Sequence, residues 1–333
     1  MEHIHLITRL GEKILAGEEI SREEASKLAV ILDHDVPFLL AMADKIRQKY
    51  VGDEVDLCAI VNGRSGRCTE NCKYCAQSKY HDTNVAVYPL MAADEIVAKA
   101  KEAEAGGANR FAIVTSGKGM EGDREFPKIL TALKRILDET NLKVCCSLGA
   151  LTLENAKELK AAGVSRYHHN IETSRRNYPN ICSTHSYDDR LTTIQVAKEA
   201  GLEVCSGGIL GMNETMEDRL DMAFEIRGFG VHSIPLNILN PIKGTVFEHQ
   251  APLPPIEILK TFALFRFIVP NCGIRTAGGR EVNLRDLQAT SLMGGISGMM
   301  VGGYLTTGGR GYQDDRKMLE DIGRPAAKAG NFS

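Results

Sequence analysis

Three thiols stand close together in the run Cys68-Thr-Glu-Asn-Cys72-Lys-Tyr-Cys75, a C-x3-C-x2-C spacing that directly follows a short apolar run and a Gly-rich turn. A loop this tight can hold three corners of a cubane. A [4Fe–4S] cluster needs four ligands, so a loop that supplies three leaves one iron open to an exchangeable ligand. Zinc competes for such thiols, but a structural zinc site is normally completed by a paired knuckle, and no second C-x2-C occurs in the chain. A disulfide framework fits less well, because there are nine cysteines, an odd number, and no apolar N-terminal signal segment. The thiols are expected to be metal ligands or buried apolar residues of a cytoplasmic protein.

Composition excludes several function classes. The 333 residues carry a net charge of −3, 43% of them are hydrophobic, and no run of about eighteen apolar residues could span a bilayer. Neither nucleic acid nor membrane is expected as a partner. This length would suggest two domains, except that α/β barrels often occupy it as one.

The elements that must position the loop repeat as a unit: an Ala- and Lys/Glu-rich helical stretch, an Ala-Gly stop, then a β-branched run ending in polar or Gly residues. Examples are Glu95 to Ala105 before Arg110–Ser116, Leu153 to Ala162 before Ser165–Asn170, and Arg190 to Ala200 before Glu203–Gly207. Gly suits the end of a helix because it accepts the left-handed conformation there. Strands alternating with helices imply parallel pairing through crossovers. Eight candidate strands follow, at 57–62, 110–116, 143–149, 165–170, 202–208, 232–239, 272–277 and 297–303. Eight is the number of a closed (βα)8 TIM-type barrel. An open doubly wound sheet would show a G-x-G-x-x-G turn after its first strand, where this chain has cysteines. The expected organisation is an N-terminal helical segment over 1–50 packed outside the barrel, the barrel over 51–305, and a partly ordered C-terminal extension over 306–333. Ser21 and Glu24 read as a capping box.

Chemistry in a barrel belongs at the C-terminal ends of its strands. The cysteine loop follows the first strand, and Gly207-Gly-Ile-Leu-Gly-Met-Asn-Glu214 follows the fifth. Both resemble elements of the radical S-adenosylmethionine superfamily, down to the aromatic Tyr74 before the last cysteine. There the open iron takes the amino and carboxylate groups of the methionine part, and electron transfer releases a 5′-deoxyadenosyl radical. The glycines, Gly208 among them, are expected to let backbone approach a flat ring, with Ile209 among the apolar side chains that sandwich adenine.

From about 55 to 305 the chain resembles the biotin synthase family in six ordered blocks: Asn62–Cys75, Cys145–Gly149, Tyr167–Ser174, Val204–Gly211, Pro235–Thr245 and Ile274–Glu281. The resemblance implies sulfur insertion between C6 and C9 of dethiobiotin, an electron donor such as flavodoxin or ferredoxin, and a homodimer. It assigns Cys68, Cys72 and Cys75 to the radical-generating cluster. Asn170 and Glu172 are placed beside the ribose and the substrate, Arg190 at the methionine carboxylate, and Asn237 at the ureido ring. His168 and His169, adjacent on a strand, face opposite ways, and neither is given a catalytic role.

The family also carries an auxiliary iron–sulfur cluster on three cysteines and an arginine. Cys145, Cys205 and Arg275 match, but Ala112 stands where the third cysteine is usual. A [2Fe–2S] site is one ligand short. Cys58 shares the parity of Asn62 and sits roughly 13 Å deeper at about 3.3 Å per residue, which makes it the expected third thiolate. Three thiolates would also suit a four-iron cluster with an added sulfide. Cys146, Cys182 and Cys272 are expected to be buried apolar thiols.

Overall fold

A computed structural model of the chain describes residues 1–328 other than 121 and 123. Nine strand segments, all paired in parallel, build one sheet: β1 (Asp56–Arg64), β2 (Arg110–Thr115), β3 (Lys143–Ser147), β4 (Arg166–His168), β5 (Glu203–Cys205), β6 (Gly208–Leu210), β7 (Ser233–Ile238), β8 (Gly273–Thr276) and β9 (Gly298–Met300). β5 and β6 are two halves of one stave, because both pair with β7, Cys205 opposite Ser233 and Gly208 opposite Leu236. β1 pairs with β2 on one side and β9 on the other, so eight staves close into the expected barrel. The stave breaks at Gly207 for a steric reason. A Cβ there would lie 2.0 Å from the Pro235 carbonyl oxygen.

Three helices precede the barrel, α1 (Glu2–Leu15), α2 (Arg22–Ala29) and α3 (Val36–Tyr50). Six follow the strands around it: α4 (Ala93–Ala105), α5 (Phe126–Glu139), α6 (Leu153–Ala161), α7 (Tyr187–Glu199), α8 (Met216–Phe229) and α9 (Pro255–Ile268). The stops between helix and strand work as the sequence suggests, since Gly107, Gly163 and Gly201 all have positive φ, at 95°, 90° and 77°. The next amides, of Ala108, Val164 and Leu202, reach back to Ala103, Leu159 and Ala197. Helix α9 is buried from Ile258 to Ile268 because α2, α3 and α8 all pack on it. The Ser21 capping box forms, with Glu24 N donating to Ser21 Oγ at 3.1 Å and Ser21 N to the Glu24 carboxylate at 2.9 Å.

Three further helices complete the described fold, α10 (Arg280–Leu284), α11 (Gln288–Leu292) and α12 (Tyr312–Asp321). The Gly-rich stretch between β9 and α12 crosses the barrel mouth, where Asn62 Nδ2 donates to the Leu305 carbonyl at 3.0 Å. After α12 the chain returns to the bottom of β1, with Val55 N bonded to Pro325 O at 2.8 Å. What reads in the sequence as an extension from 306 is thus tied to the lower end of the first stave up to residue 327; residues 329–333 lie outside the described residues. Among the described residues no helix is long and apolar enough to cross a membrane.

Candidate active site

Strand parity decides which cysteines enter the barrel. Cys58, Cys145 and Cys205 line an interior cavity of about 360 Å³, together with Arg275. Cys146 points the other way into the core under the helices, and the Cys272 thiol donates to the Val231 carbonyl at 3.3 Å. Both stand outside the cavity, as their parity requires. Ala112 sits beside Cys145, and Cys58 lies one pleat deeper, beside Arg110.

The floor of this cavity is rich in cations. Arg275 pairs with Asp56 and donates to Ser233 Oγ at 3.1 Å, while Arg166 pairs with Glu203 at 2.8 Å. Arg110 donates to the Cys145 sulfur at 3.4 Å and to Ser165 Oγ at 2.9 Å, and its buried Nε has no partner. His168 Nδ1 lies 3.4 Å from the Cys205 sulfur. Burial would raise the Cys205 thiol, but His168, Arg275 and Arg166 outweigh it and bring it down to about 6. Burial pushes Cys58 up to about 12 against the pull of Arg275. Burial works against the charge of Asp56 too, yet Arg275, Arg110 and Arg166 hold its carboxyl below the usual range. A floor with three thiols, three guanidinium groups and an unpartnered buried N–H fits an anionic group bound through sulfur.

The second site lies at the mouth. Cys68, Cys72 and Cys75 line a cavity of about 200 Å³, on a loop fixed by its own backbone and by the segment after β4. Asn71 Oδ1 accepts from the amides of Ser183 and Thr184 at 3.0 and 3.2 Å, and Lys73 N donates to Ile181 O at 3.0 Å. A hydrogen bond with Cys182 and burial both raise the Cys72 thiol, and burial takes Cys75 up to about 11. Metal binding must displace these protons, which a soft cation accomplishes and an apolar core does not require. Three thiols converging on one open cavity fit the three-ligand cubane.

The two cavities share a wall that includes Tyr74, Cys75, His168, Asn170, Glu172 and Leu305. Arg190 is buried behind it rather than solvated. Its Nε donates to the Tyr178 hydroxyl at 2.6 Å and its Nη1 to Asn170 O at 2.9 Å, with Glu172 at 3.4 Å. Asn170 bridges outward from β4, its Oδ1 accepting from Gly207 N at 3.0 Å and its Nδ2 donating to Glu172 at 3.2 Å. It caps no helix. Glu172 takes a left-handed φ of 69°, and its carbonyl accepts from Ile209 N at 2.8 Å.

Protein packs closely at Gly208, where a Cβ would lie 2.4 Å from the Glu172 carbonyl oxygen and 2.5 Å from Met222 sulfur. Glu214 closes the turn after it, accepting from the amides of Gly211 and Met212 at 2.8 and 2.6 Å. Ile209 lines the barrel cavity. Asn237 also lines it and ties two strand ends together, donating to Gly208 O at 3.2 Å and accepting from Gly278 N at 3.0 Å; the amide keeps one N–H and one lone pair to spare. Cys182 is not an inert apolar thiol. It lies 3.7 Å from the Cys72 sulfur among Asn71, Thr184 and His185.

Sequence reasoning passed over His168, Arg110, Arg166 and the Tyr304–Thr307 strip of the mouth. The signal for His168 was present, because it shares the inward parity of Asn170 two residues on.

Comparison with known proteins agrees with this geometry. The profile of the Radical SAM superfamily matches residues 64–226, and that of the Biotin and Thiamin Synthesis associated domain matches 235–324. The chain is 50% identical to the biotin synthase of Carboxydothermus hydrogenoformans, over 95% of this chain and 98% of that one. With the biotin synthase of Acetivibrio thermocellus identity is 52%, over 95% and 98%. Among solved structures, methylornithine synthase superposes with a TM-score of 0.85 at 18% identity, over 97% of this chain and 98% of that one. The FeFe-hydrogenase maturase of C. hydrogenoformans gives 0.80 at 21%, over 95% and 78%. At such identity these two structures establish the fold alone.

Proposed function

The chain belongs to the biotin synthase family of radical S-adenosylmethionine sulfurtransferases, and we propose that its two adjoining cavities are the two ends of one active site, in which dethiobiotin receives sulfur between C6 and C9. The wall common to both cavities carries this reading, because it lets a substrate touch one thiol set from each side.

Cys68, Cys72 and Cys75 hold the [4Fe–4S] cluster at the mouth, and Cys58, Cys145 and Cys205, with Arg275 close by, hold the auxiliary cluster on the floor. When bound, the first supplies the electron that cleaves S-adenosylmethionine and the second supplies sulfur. Arg190 receives the methionine carboxylate, its own position fixed by Tyr178 and the Asn170 carbonyl. Asn170 and Glu172 orient the ribose, and Ile209 packs on the adenine. Asn237 offers its spare N–H and lone pair to the ureido ring. Arg110 and His168 hydrogen-bond the sulfurs of Cys145 and Cys205, and His168 with the nearby arginines favours the thiolate of Cys205. The strip from Tyr304 to Thr307 covers the mouth and limits water. A flavodoxin- or ferredoxin-type donor, a homodimer and the cytoplasm complete the reading, along with a barrel over 51–305 flanked by segments 1–50 and 306–333.

With a chemical reductant, dethiobiotin and excess S-adenosylmethionine, the reconstituted protein should form biotin and about two equivalents of 5′-deoxyadenosine per ring, since two hydrogens must leave from a closed, oriented site. A dethiobiotin that neither becomes biotin nor suppresses uncoupled cleavage would overturn the proposal.

A further inference from the structure

Cys72 and Cys182 are, among the described residues, the one pair of thiols in hydrogen-bond contact, at 3.7 Å. Their approach is built into the backbone. Lys73 N bonds Ile181 O, and Asn71 Nδ2 bonds Ser183 Oγ at 2.7 Å, so the two segments run antiparallel and place Cys72 opposite Cys182. The two sulfurs are already 3.7 Å apart, against about 2.05 Å in a disulfide. Cys72 lines the mouth cavity while Cys182 lies behind it. A small oxidant that enters therefore meets Cys72 first, with a second thiol waiting at its back.

We propose that Cys72 and Cys182 form a reversible disulfide when the radical cluster is lost, a modification site that blocks reloading of iron until a thiol reductant reopens it. The oxidant is a peroxide. Its O–O bond breaks as the Cys72 sulfur becomes a sulfenic acid and one water leaves; the Cys182 sulfur then displaces hydroxide from that sulfur, forming the S–S bond and a second water. The two thiols lose two electrons and peroxide gains them. Without Cys182 a second molecule of peroxide takes the sulfenic acid on to the sulfinic acid, releasing another water, and thiols do not reverse that product. The proposal rests on Cys72 being a cluster ligand.

The test treats metal-free protein with one equivalent of hydrogen peroxide, maps crosslinked peptides by mass spectrometry, and then reloads iron and sulfide with or without dithiothreitol. The wild type should lose two of its nine thiols in a Cys72–Cys182 crosslink and two hydrogens in mass, and regain the mouth cluster only with dithiothreitol. The Cys182→Ser protein, given two equivalents of peroxide, should show no crosslink, gain two oxygens at Cys72, and fail to reload even with dithiothreitol. A crosslink from Cys72 to Cys68 or Cys75, or equal recovery by Cys182→Ser, would overturn the proposal. Iron content of unoxidised Cys72→Ala protein tests the ligand reading separately, since the crosslink map does not depend on it.

Discussion

The mouth and the floor of the barrel each present three thiols, assembled in opposite ways. Cys68, Cys72 and Cys75 sit on one loop whose shape comes from local turns and from Asn71 gripping the segment after β4. Cys58, Cys145 and Cys205 sit on three staves, brought together by the register of the sheet and surrounded by arginines. A local site can be lost with one residue without disturbing the barrel. A distributed site shares its residues with the core, so its ligands can migrate from stave to stave while the cavity survives. Ala112 beside Cys145, with Cys58 one pleat deeper, has the form of such a migration.

The largest effect is expected at the mouth. Cys72→Ala should fold normally and reduce cleavage of S-adenosylmethionine by more than about a hundredfold, beyond the loss of an outer partner, because an incomplete cubane does not hold its open iron. Assay of 5′-deoxyadenosine with a chemical reductant checks this, and undiminished turnover would remove the loop from the mechanism.

Gly208→Ala should come next. Its methyl would press on the Glu172 carbonyl and Met222, and overpacking of this kind costs roughly 1–3 kcal/mol. Displacement of Glu172 should weaken S-adenosylmethionine binding by about tenfold, read by calorimetry, while the floor cluster stays intact. Equal loss of both clusters would mean that the two sites are not separable.

Asn237→Ala leaves the Gly278 amide without its partner, at about 1–2 kcal/mol. A lower melting temperature with a raised KM for dethiobiotin and unchanged uncoupled cleavage is expected. A change in stability alone would reduce the residue to a strut.

The smallest effect separates the floor thiols from one another. In metal-free protein the alkylation rate of Cys205 should rise with a midpoint near pH 6, against 9.0 for an ordinary thiol, while Cys58 stays unreactive to about 12. A depressed thiol stabilises the fold fully above pH 9 and loses that contribution as pH falls through 6. His168→Phe should move the Cys205 midpoint upward, and a wild-type midpoint near 9 would contradict the charge arrangement.

Legibility in the sequence follows the same division. All eight staves and the glycines that end α4, α6 and α7 were readable, because helix stops and β-branched runs are local signals. The loop thiols were readable from spacing, the inward face of Cys58 from parity, and Cys145 and Cys205 from the family resemblance. What escaped was what parity alone does not rank. His168 was set aside as one of two opposed histidines, although it contacts Cys205. The approach of Cys182 to Cys72 depends on two loops that no local pattern brings together. The packing of Glu172 and Met222 against Gly208 also escaped, because a missing Cβ does not announce what comes close.

The most direct test is the iron and sulfide content of the anaerobically reconstituted Cys58→Ala protein, with Mössbauer spectra to separate the two clusters. The expected result is a complete mouth cluster, loss of the floor cluster and no biotin, with cleavage of S-adenosylmethionine retained. A full complement of iron and normal biotin formation in Cys58→Ala would contradict the migration of the third ligand to β1 and return the search to Cys146, Cys182 or Cys272.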